Sequence, residues 1–186
     1  MTTTLTIPTL KTERLTLRAP RITDFDVFDA FMASERTKYV GGPYTTERAR
    51  ARAFGHAAGM WMLRGYGNFV MCLDDDAPLG MLGPWHPLEW PEAEFGWALW
   101  DPAAEGHGYV TEAMRTIIPW GFLAMGIETA VSYVDAPNTA SAAVAKRLGA
   151  TFDPVATQAL NADGAFFHDP DGHEVQVWRH QEGALV

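Results

Sequence analysis

The chain has 186 residues, 47% hydrophobic and 12% aromatic, enough apolar material for one core of ordinary size and a single domain over 1–186. Its 23 acidic against 14 basic side chains give a formal net charge of −9, which disfavours nucleic acid and anionic lipid as partners and draws cations such as amines. A single cysteine, Cys72, excludes a disulfide framework and a thiolate metal cluster; with no signal-like start at 1–8 and no apolar run of membrane-spanning length, the expectation is a cytoplasmic protein with no membrane partner.

In chain order, the alternation Arg14-Leu15-Thr16-Leu17-Arg18, closed by Ala19-Pro20, predicts a half-buried strand. Thr23 as N-cap, Asp26 three residues on, and Phe25, Phe28, Phe31 and Met32 at helical spacing predict a first helix. After the Gly41-Gly42-Pro43 turn, Thr45 is placed to cap a second helix over 47–63, with Phe54, Trp61, Met62 and Leu63 as its apolar residues. Strands over 68–73, 79–85 and 93–100 then form an antiparallel meander. A helix follows over 109–125, with Pro119 expected to kink it, then a buried strand over 129–134 and a helix over 138–148 ended by Gly149. Strands over 151–155 and 174–179 complete a β-α-α-β-β-β-α-β-α-β-β order, an α+β fold with helices packed on a mixed sheet.

Between the meander and the third helix stands Glu105-Gly106-His107-Gly108-Tyr109-Val110-Thr111. A glycine loop that restarts as a helix presents unpaired N–H groups and the positive end of the helix dipole, and the Thr111 hydroxyl adds a donor, so the segment is suited to an anion. By itself it reads first as a simple strand-to-helix turn. Thr111 occupies the place of the third glycine of a dinucleotide fingerprint, and the Gly-Lys-Ser/Thr of a P-loop is missing. His107 reads either as a phosphate neighbour or as a solvated loop histidine. His168-Asp169-Pro170-Asp171-Gly172-His173 reads as a tight hairpin turn and not a metal site, and no metal is expected. Ser34, Ser132 and Ser141 all lie outside any Gly-x-Ser-x-Gly elbow, against a serine hydrolase.

Five segments occur in an order that resembles the GCN5-related N-acetyltransferase (GNAT) superfamily, and within it the ribosomal-protein N-terminal acetyltransferases. They are Lys11-Thr12-Glu13-Arg14-Leu15-Thr16-Leu17-Arg18, then Gly106-His107-Gly108-Tyr109-Val110-Thr111-Glu112-Ala113, then Val134-Asp135-Ala136-Pro137-Asn138 with Ser141, then Lys146-Arg147-Leu148-Gly149-Ala150, and Val177-Trp178-Arg179-His180. The resemblance implies a GNAT-like acyl-CoA N-acyltransferase fold with a central, mostly antiparallel mixed sheet. It implies acetyl-CoA as cosubstrate, no metal, and an acetyl group moved to a primary amine of a small molecule or a peptide N-terminus. The cosubstrate would enter a V-shaped opening between the strands ending at Trp100 and Val134, its pantetheine arm pairing with backbone near Ala98 and Trp100. Its pyrophosphate would rest on the amides of Gly106, His107, Gly108, Tyr109, Val110 and Thr111. Asn138 matches a cofactor-contacting asparagine, which also suits a helix N-cap, and Arg147 matches a basic position near the outer phosphate.

For the chemistry, Glu94 falls at the family's general-base position, with Glu92 as the fallback on the same strand face, and an amide near Ala98 would hold the oxyanion. The tyrosine that protonates the leaving thiolate in many relatives is replaced by Ala145, so Ser141, three residues after Asn138 on one helix face, is the acid candidate. Glu94 reads equally as an outward strand residue, and Ser141 as one bonding its own helix. Glu105 stands where the family carries Gln or Arg, and Val110 where it carries a small residue. These departures leave a non-catalytic acyl-CoA-binding protein, or a module that binds no cofactor, as alternatives. Trp61, Tyr66, Trp85, Trp90 and Trp97 divide between core and acceptor pocket, and exposed apolar edges leave a homodimer open.

Overall fold

The computed structural model describes residues 6–170 and 172–184. Its strands are β1 (Leu10–Lys11), β2 (Thr16–Arg18), β3 (Phe69–Cys72), β4 (Pro78–Trp85), β5 (Glu94–Leu99), β6 (Thr129–Asp135), β7 (Thr151–Phe152) and β8 (Val175–Gln181). They form one eight-stranded sheet in the order β1-β2-β3-β4-β5-β6-β8-β7. Every neighbouring pair is antiparallel except β5 and β6, which run parallel. The helices are α1 (Phe25–Met32), α2 (Glu47–Arg64), α3 (Tyr109–Met125), α4 (Thr139–Arg147) and α5 (Pro154–Leu160). The mixed, mostly antiparallel α+β sheet expected from the sequence is the one observed.

Two cores lie on the two faces of the sheet, and β3 shows how one run of sequence supplies both. All four of its residues are buried; Phe69 and Met71 join the core beneath α3, whereas Val70 and Cys72 join the core beneath α1 and α2. A strand buried on both sides loses its polar alternation, which is why this segment reads as a continuous apolar run. Helix α3 buries Ala113, Met114, Ile117, Ile118, Gly121 and Phe122, one stripe at three- and four-residue spacing. Pro119 falls on its exposed side, and α3 continues through it.

The structure departs from the sequence reading at helix starts and at one strand. A short 3-10 turn, Ile22–Asp24, precedes α1, and Asp24 rather than Thr23 organises it. The Asp24 carboxylate accepts from Arg21 N at 2.7 Å and takes both arms of the buried Arg18 guanidinium at 2.8 Å each. A buried cation dictates which acidic residue lies inside, and cap preference yields to it. Asp24 and Asp76 hold the Arg18 guanidinium in its charged form beyond its ordinary range, outweighing burial. Thr46, not Thr45, caps α2, its hydroxyl accepting from Ala49 N at 3.2 Å. The strand expected over 151–155 stops at Phe152, because Asp153 caps and Pro154 opens α5, a helix the sequence reading missed. The expected turn near 168–173 includes a bond from Gly172 N to Asp169 O at 3.1 Å, but turns over 161–167 precede it in place of a hairpin strand; residue 171 lies outside the described residues.

The α3–sheet contact is tight enough to test. A β-carbon at Gly121 would lie 2.5 Å from Cε1 of the fully buried Phe95, whereas one at Gly59 in α2 meets nothing within 4 Å. Urea denaturation should show Gly121→Ala destabilised by about 1–3 kcal/mol through overpacking. Gly59→Ala should be stabilised by about 0.5–1 kcal/mol through helix propensity.

Candidate active site

The parallel strands β5 and β6 share one register pair, Glu94 with Val131, where Val131 N donates to Ala93 O at 2.9 Å. Beyond that point side chains replace the backbone ladder. Ser132 Oγ donates to Phe95 O at 2.6 Å, and the Glu94 carboxylate accepts a backbone hydrogen bond from Tyr133. The strands therefore diverge, and a cavity of about 690 Å³ opens between them and runs beneath α1 and α2.

The joint is held from behind. Ser132 Oγ lies 2.9 Å from Nε2 of His180, a β8 residue only 2% exposed whose burial pushes its pKa down to about 4. The imidazole is neutral near pH 7. Because the Ser132 proton goes to Phe95 O, Nε2–H is the donor to Oγ, which fixes the tautomer.

Strand alternation sorts β5 into two sets. Phe95, Trp97 and Leu99 pack toward α3, whereas Ala98 and Trp100 pack toward α1 and α2, the face shared with Glu94 by period two. Backbone directions alternate in step. Trp100 N donates to Leu79 O of the β4 side at 2.7 Å, so the N–H and C=O groups of Ala98 turn toward β4 and those of Trp97 turn toward the opening, whereas at the strand end the Leu99 and Trp100 carbonyls both accept from Arg36. The free edge of β5 is thus offset by one residue from the positions named from the sequence.

Glu94 is 8% exposed, and burial raises its pKa to about 7, although Trp90 Nε1 donates to Oε2 at 2.7 Å and the Tyr133 backbone also favours the anion. A carboxyl group poised near neutrality inside a cavity suits proton abstraction. Glu92 is committed elsewhere, its two oxygens on Arg179 at 2.8 and 3.3 Å. Asn138 Oδ1 caps α4 by accepting from Ser141 N at 3.2 Å, and Ser141 Oγ accepts from Trp97 Nε1 at 3.3 Å, leaving the hydroxyl proton available to a cavity group. Ala145 is fully buried. Glu94, Ala98, Trp100, Asn138 and Ser141 all line the same cavity.

Past the end of β5, Gly106 and Gly108 take positive φ of 79° and 78°, and Gly108 is the N-cap of α3. Only glycine adopts these angles without strain. Glu105 is neutralised by Arg36, whose guanidinium also donates to the carbonyls of Leu99 and Trp100, so the carboxylate is tied to the end of β5. Arg14 lies over the Tyr109 ring at 4.6 Å, donates to His107 O at 3.1 Å and pairs with Glu112 at 2.6 Å; His107 stacks on Tyr109 at 5.4 Å.

Arg14, Arg115 and Arg147 line a groove with Gly108 and Thr111. Three arginines thus flank the donor-rich start of α3, with Glu13 and Glu112 beside them in the same groove. Arg14 and Arg115 escaped the sequence reading. Arg115 was accessible, four residues after Thr111 on the same helix face, but nothing local marks Arg14. Among the described residues, no group of three or more His, Cys, Asp or Glu could hold a metal ion, and no helix is long and apolar enough to cross a membrane.

The model of the acetyltransferase (GNAT) domain family matches residues 14–151. Among solved structures, the chain is similar to an acetyltransferase from Agrobacterium tumefaciens at 37% identity and a TM-score of 0.81, covering 98% of this chain and 99% of that one. A GNAT-family acetyltransferase from Bacillus anthracis shares 18% identity at a TM-score of 0.70, covering 94% and 98%. RimL, a ribosomal L7/L12 alpha-N-protein acetyltransferase in complex with coenzyme A, shares 18% identity at 0.72, covering 95% and 99%. The last two likenesses establish the fold alone. No curated protein matches the chain in sequence.

The Ser132 joint gives a stability test. Ser132→Ala strips the partner from His180 Nε2–H and from Phe95 O, both buried, and should cost about 1–3 kcal/mol in urea denaturation at pH 7.

Proposed function

The chain belongs to the GNAT acetyltransferase family, and on that premise we propose that it is an N-acetyltransferase acting between acetyl-CoA and a primary amine, on a small molecule or a peptide N-terminus. One observation carries this reading: the buried Glu94 stands where the ladder between β5 and β6 stops, in the wall of a cavity that Asn138 and Ser141 of α4 also line.

In this proposal the cosubstrate supplies the activated acetyl thioester, and the chain supplies position, charge and proton transfer. The Trp97 edge of β5, beside Ala98 and Trp100, receives the pantetheine arm as an added strand, up to the Leu99 carbonyl that Arg36 holds. The amides of Gly106, His107, Gly108, Tyr109, Val110 and Thr111 receive the pyrophosphate. Arg147, with Arg14 and Arg115, neutralises the outer phosphates, and Asn138 lies against the arm.

Glu94 takes a proton from the ammonium, directly or through water, so that a neutral amine attacks. A cleft-facing amide of β5, at Trp97 beside Ala98, stabilises the oxyanion, and the Ser141 hydroxyl protonates the departing thiolate. The ion pair between Glu105 and Arg36 supports cosubstrate binding, since the loop's own carboxylate is already compensated.

The base must be deprotonated to act, so its active fraction rises with pH. With Glu94 at about 7, kcat/KM should fall roughly tenfold per pH unit below 7 and level off above it. Glu94→Gln should lower kcat by about 100-fold and abolish that inflection, with calorimetric binding of acetyl-CoA retained. An unchanged inflection in the variant would remove Glu94 from the role, and failure of the wild-type protein to bind acetyl-CoA would remove the function. The raised carboxyl pKa also has a stability sign: protection is complete below the ordinary 4.5 and is lost as pH rises through about 7, where the buried group ionises.

A further inference from the structure

On the α1–α2 face of β5, the positions run Glu94, Gly96, Ala98, Trp100, and Gly96 is paired across the ladder with Gly83 of β4. Two neighbouring strands therefore carry no side chain at the same level. A β-carbon built at Gly96 meets only Glu94 within 4 Å, Oε1 at 3.6 Å and Cδ at 3.9 Å, so the space above this floor belongs to the cavity. One built at Gly83 lies 3.3 Å from Asn68 Cα, which sets Asn68, just before β3, at the far end of the same cross-sheet row.

Asn68 Oδ1 is buried, lines the cavity and has no hydrogen-bond partner. Buried carbonyl oxygens without a donor are rare, because each forfeits its hydration. Glu94 Oε1 thus borders the floor and Asn68 stands at the far end of its row, so a nitrogen bearing several hydrogens complements the acceptors on offer. Its dimensions are those of one missing side chain. Glu94 and Ala98 bound it along β5, and Met81 and Trp85, two residues either side of Gly83, bound it along β4. Beside Glu94, Trp85, Trp90 and Tyr133 pack edge to face, at 6.5 Å for the first pair and 6.1 Å for the second, and present ring surface with an affinity for cations, the Tyr133 hydroxyl among them buried without a partner.

We propose that the floor over Gly96, between Glu94 and Asn68, seats the acceptor nitrogen, and that the acceptor is a small unbranched primary amine on an apolar body of aromatic size. The inference rests on the N-acetyltransferase reading and deepens it. A nitrogen on an unbranched carbon enters a seat one side chain wide; the α-carbon of a peptide N-terminus is branched and brings amide groups that require partners of their own.

The test uses benzylamine and 2-phenylethylamine, their branched counterpart α-methylbenzylamine, and tetrapeptides beginning with serine or alanine. The wild-type protein should favour the unbranched amines over both other classes by at least tenfold in kcat/KM. Asn68→Ala should raise KM for benzylamine at least tenfold with little change in calorimetric affinity for acetyl-CoA. Gly96→Ala adds a methyl at an ordinary contact distance, so it should melt like the wild type yet lose at least twentyfold in kcat/KM for the amine.

Three outcomes overturn the inference while leaving acetyl transfer intact: peptides or the branched amine turned over as well as benzylamine, both variants within threefold of wild type for the amine, or amine and acetyl-CoA affinity falling together. No acetyl-CoA binding and no turnover with any amine would instead overturn the N-acetyltransferase reading, and this inference with it.

Discussion

One strand pairing governs the site. A parallel ladder between β5 and β6 would place the two strands at normal spacing along their length and close the sheet. Here the ladder stops after Glu94 and Val131, because the next hydrogen bonds are made by side chains, the Ser132 hydroxyl to Phe95 O and the Glu94 carboxylate to the Tyr133 backbone. Sheets leave an internal edge unpaired only when something else satisfies or covers it. In this chain the neutral His180 satisfies the Ser132 oxygen from behind, and the long antiparallel pairing with β8, from Thr129–Gln181 to Asp135–Val175, holds β6 along its whole length on its other edge.

The second requirement is charge placement in an acidic molecule. Long-range attraction of a polyanion is unfavourable at a net charge of −9, so affinity must come from arginines gathered locally and held in position. Arg14 is fixed by Glu112, the His107 carbonyl and the Tyr109 ring, while Arg36 ties Glu105 to the end of β5. Both arginines come from the first 40 residues and act on a loop some 70–90 residues later in the chain, so the segment that precedes and follows α1 braces the loop from outside.

What could be read from the sequence divides along the same line. Helix α3 and the glycine loop were legible because their signals are local: a 3.6-residue apolar stripe and glycines where φ must be positive. Glu94 was legible as a position on a strand next to that loop, but its environment was not. Its burial depends on Trp90 and on Tyr133, one in a connection and one across the parallel joint. Asp24 displaced Thr23 as the organiser of the first turn because Arg18, six residues earlier, is buried and needs a carboxylate. Helix α5 was hidden by a short, weakly apolar sequence whose only strong cue is Asp153-Pro154 at its start. Arg14 at the glycine loop and Asn68 at the cavity floor have no local signature; only the assembled sheet brings them to their places.

The indole of Trp90 has a consequence for the two oxygens of Glu94. An indole nitrogen donates and never accepts, so Oε2, held at 2.7 Å from Nε1, remains an acceptor in either protonation state. The other oxygen, Oε1, leans over the bare backbone of Gly96. Ring and glycine together make the two oxygens of a symmetric side chain inequivalent, one anchored by an indole and the other facing bare backbone.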